Sequence, residues 1–146
     1  MLTVDDAIDG ALSLLSGRIR EAGVAVIRPG RNPAVRVMAS RIRLEQILVN
    51  LLQNALDALH GRHNQRIEVG LAATADTVQL CVRDNGPGID PGIRATLFMP
   101  FNTSKEKGLG LGLVISSEIA RELGGHLDLT PSGEGACFTL TLPRRQ

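Results

Sequence analysis

Midway along the chain the spacing of apolar residues switches from one period to another, and that switch limits the folds open to it. In RLEQILVNLLQNALDALH, the residues Leu44, Ile47, Leu48, Leu51, Leu52, Ala55 and Leu59 recur every three or four positions. This predicts a long helix from Ser40 to His60 with one wide apolar face, stopped at Gly61. After a basic, polar loop the period becomes two. IEVGL (67–71) and VQLCV (78–82) alternate apolar and polar and are joined by AATADT, which predicts an antiparallel hairpin. A helix with so wide a face must cover something, and a hairpin with one apolar side is the partner at hand.

The flanks extend the pattern. VDDAIDGALSLLSGRIREAG places Val4, Ile8, Ala11, Leu12, Leu15 and Ile19 at helical spacing, which predicts one amphipathic helix ending near Gly23. VAVI (24–27) and VRVM (35–38) are short strand-like runs on either side of the turn PGRNP. A short segment is expected around Ile93–Phe98. Then come a helix starting near Leu111, with Ile115, Ile119 and Leu123 on one face, and a closing hairpin in HLDLTPSGEGACFTLTLP. The expected fold class is α+β, a two-layer sandwich in which helices cover one face of a mixed, mostly antiparallel sheet. The regular strand–helix alternation of a doubly wound parallel sheet is missing. At 146 residues, the expectation is a single domain spanning 1–146.

Composition excludes several functions. Sixteen basic against 15 acidic residues give a net charge of +1, too little to hold the chain on nucleic acid or an anionic membrane by bulk charge. Aromatic residues are 2%, so there is no stacking platform for single strands. Cys81 and Cys137 lack zinc-ligand spacing and are too few for a disulfide scaffold. They fall on the side of their strands opposite Leu80 and Phe138 and read as small packing residues, close together if those strands pair. A reducing compartment is the simpler assumption. With no signal peptide or spanning apolar segment, a soluble cytoplasmic domain is expected.

Three stretches carry chemistry. On the long helix, Gln46, Asn50, Gln53, Asn54 and Asp57 form a second, polar stripe. Such a stripe reads as a solvated face, or as amide oxygens of Asn50 and Asn54 converging on a hard cation, which takes oxygen ligands. In VRDNGPGID, alternation puts Asp84 on the side of Val78, Leu80 and Val82, toward the helices. Either an Asx turn ends the strand, or a buried carboxylate awaits a donor such as an exocyclic amine, with Gly86 and Gly88 leaving room for a flat ring. In FMPFNTSKEKGLGLGLVI, Lys105 and Lys107 precede Gly108, Gly110 and Gly112, directly before a helix. Backbone N–H groups freed of side chains there suit an anion as well as they suit a turn. The spacing is neither G-x-G-x-x-G nor G-x-x-x-x-G-K-[ST], and the H-R-D and D-F-G signatures are absent.

Taken in order, these stretches resemble the ATP-binding catalytic domain of sensor histidine kinases, within the superfamily shared with gyrase, Hsp90 and MutL. NLLQNALDA resembles the N box, DNGPG the G1 box, FMPF the F box and GLGLGL the G2 box, over essentially the whole chain. PFNTSKEKGLGLGLVIS looks most like sensor kinases for C4-dicarboxylate uptake. The resemblance implies the Bergerat-type fold, with ATP and Mg²⁺ as ligands. Asn54 would be the Mg²⁺ ligand and Asn50 its support in the metal–phosphate cluster. Asp84 would accept from the adenine amine, beside Gly86 and Gly88. Lys105, Gly108, Gly110 and Gly112 would form a mobile lid over the phosphates. The partners implied are a histidine-bearing dimerisation domain and, downstream, a response regulator. The parent protein would be anchored in the inner membrane, and the isolated domain would be a monomer.

Residue 50 separates the members of that superfamily. Gyrase-type ATPases carry a Glu there as general base, whereas the Asn50 amide cannot take a proton at neutral pH. Glu45 lies too far round the helix to replace it. The expected reaction is phosphoryl transfer to a nucleophile supplied from elsewhere. His60, His63 and His126 fall at a helix end, a loop and a strand start, with no chemical role. The phosphoacceptor is therefore expected to be absent, with Met1 an introduced start. Two departures from the resemblance stand out: Asp57 occupies a position where many relatives are basic, and the segment between FMPF and the glycines is short. Three alternatives remain: a self-sufficient ATPase, shown by steady phosphate release; a non-catalytic nucleotide-binding switch; and an anti-sigma-type protein-serine kinase, shown by transfer to a serine.

Overall fold

The computed structural model describes residues 2–88, 109–130 and 135–145. Two helices open the chain, α1 (Val4–Leu14) and α2 (Ser16–Ala22), preceded by the two-residue strand β1 (Leu2–Thr3). Then follow β2 (Ala25–Ile27), β3 (Arg36–Val37), α3 (Arg41–Leu59), β4 (Arg66–Ala73), β5 (Thr77–Asp84), α4 (Leu109–Glu122), β6 (His126–Thr130) and β7 (Cys137–Pro143).

A five-stranded sheet runs in the order β2-β4-β5-β7-β6. Its β2–β4 pair is parallel and the other three pairs are antiparallel. Alternation sets its two faces. Ile67, Val69 and Leu71 of β4, Val78, Leu80 and Val82 of β5, and Phe138, Leu140 and Leu142 of β7 all enter one core. That core also takes Val4 and Ile8 of α1, the apolar face of α3, and Leu113 and Ile119 of α4. The other sheet face carries Gln79, Arg83 and Asp128, all exposed. This is the expected mixed, mostly antiparallel sheet with helices on one side.

α3 owes its position to its sequence. The Ser40 hydroxyl accepts from the Arg43 N–H as N-cap. The predicted apolar face is buried in full, with Leu56 added to it, because the helix touches α1, α4 and the sheet together. Arg28, just past β2, ties that edge to α1 by pairing with the buried Asp5 at 3.2 Å and with Asp9 at 2.5 Å.

Two expectations need correction. The first is that the N-terminal helix is two helices: Leu15 leaves helical geometry (φ −106°, ψ 9°) while its side chain stays buried, and α2 has no fully buried residue, only Ile19 packing part-buried against the core. The chain still turns at Gly23 (φ 71°). The two strand-like runs either side of PGRNP, whose partners the sequence left open, go to different sheets: β2 joins the main sheet beside β4, and β3 pairs with β1 in a separate ribbon. The second correction is that Cys81 and Cys137 are joined as a disulfide rather than packed as separate thiols. The β5–β7 register places them diagonally, Cys81 opposite Thr139 and Cys137 opposite Arg83, with Cα atoms 6.4 Å apart, within disulfide reach.

Candidate functional site

β5 ends at Asp84, which continues the inward-facing set of Val78, Leu80 and Val82 and is 4% exposed. Its Oδ1 accepts from the backbone N–H of Gly86 at 2.8 Å and of Ala136 at 3.3 Å. Its Oδ2 meets no donor among the described residues. Burial pushes this carboxyl above the ordinary aspartate value of 3.8, against the pull of the two backbone N–H groups and of the Arg62 charge. One oxygen is thus held in place by backbone N–H groups, and the other meets none among the described residues.

The turn after Asp84 is built for close approach. A Cβ on Gly86 would lie 3.0 Å from Asp84 Oδ1 and 3.2 Å from the Ala58 carbonyl oxygen. Gly88 has φ 86°, and a Cβ there would come within 3.1 Å of the Gly135 carbonyl oxygen. Ala58 stands one turn beyond Asn54 on α3, so this contact brings the Asp84 turn against the helix that carries the asparagines.

Asn50 and Asn54 play different parts on that helix. The Asn50 amide donates to Ser116 Oγ at 3.0 Å and to the Gly112 carbonyl at 3.4 Å, which joins α3 to α4. The Asn54 Nδ2 is buried with no hydrogen-bond partner among the described residues. A buried amide left unpaired costs about 1–3 kcal/mol, and an incoming polar group relieves that cost. Turned by half, the same amide would offer its oxygen to a cation. Among the described residues no group of three or more His, Cys, Asp or Glu could hold a metal. With neutral amides as its only protein ligands, Mg²⁺ fits here as a companion of phosphate oxygens, which bring the negative charge it needs.

The expected site residues separate into two groups. Asn50 and Gly112 meet where α3 packs on α4, Gly86 brings the Asp84 turn against α3 at Ala58, one turn beyond Asn54, and Gly88 closes on Gly135. Gly110 and Gly112 belong to α4, which is helical already at Leu109, and Gly112 packs against Asn50. Lys105, Gly108 and the FMPF segment lie outside the described residues. Asp57 is paired with Arg18 of α2, so its charge is answered from a helix with no part in the motifs. Glu45 is bound to Arg41 at 2.7 Å, one turn before it. His126 pairs with Asp128 at 3.2 Å on the exposed sheet face, away from the asparagines.

Ser116, Ala58, Gly135 and Ala136 were not foreseen. Ser116 was legible, being one turn beyond Gly112 on a predicted helix and fully buried. Ala136 left no signal, because its N–H reaches Asp84 only through the pairing of strands 52 residues apart.

Comparison with known proteins agrees with this geometry. Residues 39–146 match the family described as histidine kinase-, DNA gyrase B-, and HSP90-like ATPase. The C4-dicarboxylate transport sensor protein DctB of Rhizobium meliloti is 42% identical over 139 residues, which is 95% of this chain and 22% of that protein. The chain therefore spans about a fifth of that relative's length. The nucleotide-free catalytic domain of histidine kinase ThkA superposes with a TM-score of 0.88 at 29% identity, covering 98% of this chain and 93% of that one. ThkA in complex with the response regulator TrrA superposes at 0.84 and 28% identity, over 99% of this chain and 41% of the other. An α3 with asparagines on its polar stripe, a D-x-G-x-G turn folded against it and a glycine-led α4 thus place the chain in the histidine kinase-, gyrase B- and HSP90-like ATPase family, in the form taken by histidine kinase catalytic domains.

Proposed function

We propose that residues 1–146 act as one catalytic unit that binds Mg-ATP and donates the γ-phosphoryl group to a histidine on a separate dimerisation domain. The observation that carries this reading is Asp84, a buried carboxylate with one oxygen held by backbone N–H groups and the other free to accept the adenine amine. Gly86 and Gly88 keep side chains out of the space beside it. Mg²⁺, when bound, offsets the charge of the β- and γ-phosphates. Asn54 would turn its amide oxygen to the metal. Asn50 holds α4 to α3 through Gly112 and Ser116, and the resemblance would give Lys105, Gly108, Gly110 and Gly112 the part of a lid over the phosphates.

Neither Asn50 nor the engaged Glu45 can deprotonate water. The site positions ATP for an incoming histidine nitrogen, which forms the N–P bond as the bond to the bridging oxygen breaks and ADP departs with the electron pair. The likeness to DctB supports a sensor kinase for C4-dicarboxylates, and ThkA with TrrA supports a response regulator as the downstream acceptor. Such a parent protein would be anchored in the inner membrane with this domain in the cytoplasm. Among the described residues no helix is long and apolar enough to cross a membrane.

The test is calorimetric titration of the domain with a non-hydrolysable ATP analogue, with and without Mg²⁺ and beside GTP. Saturable, adenine-selective, Mg²⁺-strengthened binding supports the proposal. No binding at millimolar nucleotide rejects it.

A further inference from the structure

The chain's two cysteines are bonded to each other across the β5–β7 pair, 56 residues apart in sequence. Their place in the sheet gives the bond a consequence. Cys137 is the first residue of β7 and follows Ala136, whose N–H and C=O both engage Asp84. Ala136 donates to Oδ1 at 3.3 Å and accepts from the Asp84 N–H at 3.0 Å. Gly135, one residue earlier, is folded so closely over Asp84 that a Cβ would meet its carbonyl oxygen at 1.9 Å. This contact lies one residue beyond Arg83 and Cys137, the last pair of the β5–β7 ladder, and ladder ends open more readily than their middles. The disulfide closes that end one residue from the rung that orients the carboxylate.

The bond is also within reach. Cys137 is buried at 1% exposure, whereas Cys81 is half-buried on the sheet face opposite the described helices. There Cys81 lines a cavity of about 380 Å³ together with Gly70, Gln79, Thr139, Pro29 and Gly30. The depression is open to solvent, so an approaching thiol meets Cys81 from this side.

We propose that Cys81–Cys137 is a reversible thiol–disulfide exchange site, and that its oxidation state sets how firmly β7 holds Asp84 and so how tightly the domain binds adenine nucleotide; the second half rests on the ATP reading above. The exchange partner is a dithiol. Its thiolate attacks Cys81 Sγ, the Cys81–Cys137 bond breaks, and Cys137 leaves as thiolate. The partner's second thiolate then attacks its own bonded sulfur and expels Cys81. Two electrons pass from partner to protein, and the two protons lost by the dithiol end on Cys81 and Cys137. Oxidation by the disulfide form of the partner runs the same steps in reverse.

The experiment equilibrates the domain in mixtures of reduced and oxidised dithiothreitol, counts free thiols by alkylation and mass spectrometry, and follows amide exchange and binding of the ATP analogue in each form. The expected result is a reversible two-hydrogen mass change. In the reduced form, faster exchange at Asp84, Gly86 and Ala136 and roughly fivefold or more weaker binding are expected. Cys81→Ser should behave as the reduced form whatever the redox buffer. Two free thiols at every ratio would overturn the proposal, as would a disulfide whose reduction leaves exchange at those amides unchanged. Faster exchange without nucleotide binding in either form supports the staple and rejects the ATP reading. Faster exchange with equal affinity in both forms overturns the coupling.

Discussion

Asp84 combines a structural cost with a binding role. Its carboxyl is raised above 3.8 chiefly by burial, so the folded chain holds this proton more tightly than the unfolded one. Its contribution to stability is fully present below 3.8 and is lost as pH rises through the raised folded value. Asp84→Asn should remove that dependence. In urea unfolding, the difference between wild type and variant should move in favour of wild type as pH is lowered from 7 toward 4; parallel pH profiles would contradict the assignment. The same variant replaces a charged acceptor with an amide, and nucleotide affinity should fall by about 1.5–3 kcal/mol, read by calorimetry. Asn54→Ala should act at the other end of the nucleotide, weakening the Mg²⁺ dependence of binding while sparing adenosine; equal loss with and without Mg²⁺ would remove it from the metal. Alternation alone told which way Asp84 points, because a strand leaves only two choices. It did not tell that Oδ1 is used by Ala136, since that contact comes from another strand.

Among the elements, α3 was the most legible. Its cap at Ser40, its apolar face and its stop at Gly61 all lie within one continuous stretch, and propensity, capping and burial agree there. The opening helix was less so. Its apolar spacing runs on through Leu15, yet only α1 buries residues fully, and α2 gives the core no more than the part-buried Ile19. β2 was legible as a strand but not as a parallel one, since its partner β4 begins beyond the whole of α3. That edge depends on Arg28. With Asp5 8% exposed as a side chain, Arg28→Ala would strand a buried carboxylate, and unfolding free energy should drop by about 3 kcal/mol. Asp5→Asn in the same background should restore part of the loss. A drop no larger than that of an exposed pair such as Arg18–Asp57 would show the bridge to be incidental.

For the molecule as a whole, an amide at position 50 in place of a general base predicts a domain that binds ATP yet scarcely releases phosphate. Supplied with a histidine-bearing helical domain, it should yield acid-labile phosphoprotein, whereas steady phosphate release alone would move it to the ATPases. The amino-acid sequence by itself determined the fold class, the inward turn of Asp84 and the polar stripe of Asn50 and Asn54, because each follows from a local period in one segment. Only the tertiary structure decided that Asn50 grips α4 while the Asn54 Nδ2 meets no partner among the described residues, that Ala136 orients Asp84, and that Cys81 bonds to Cys137. Each of these depends on register or packing between segments tens of residues apart, and a one-residue slip would send those side chains to the other face without altering the pattern that predicted the strands.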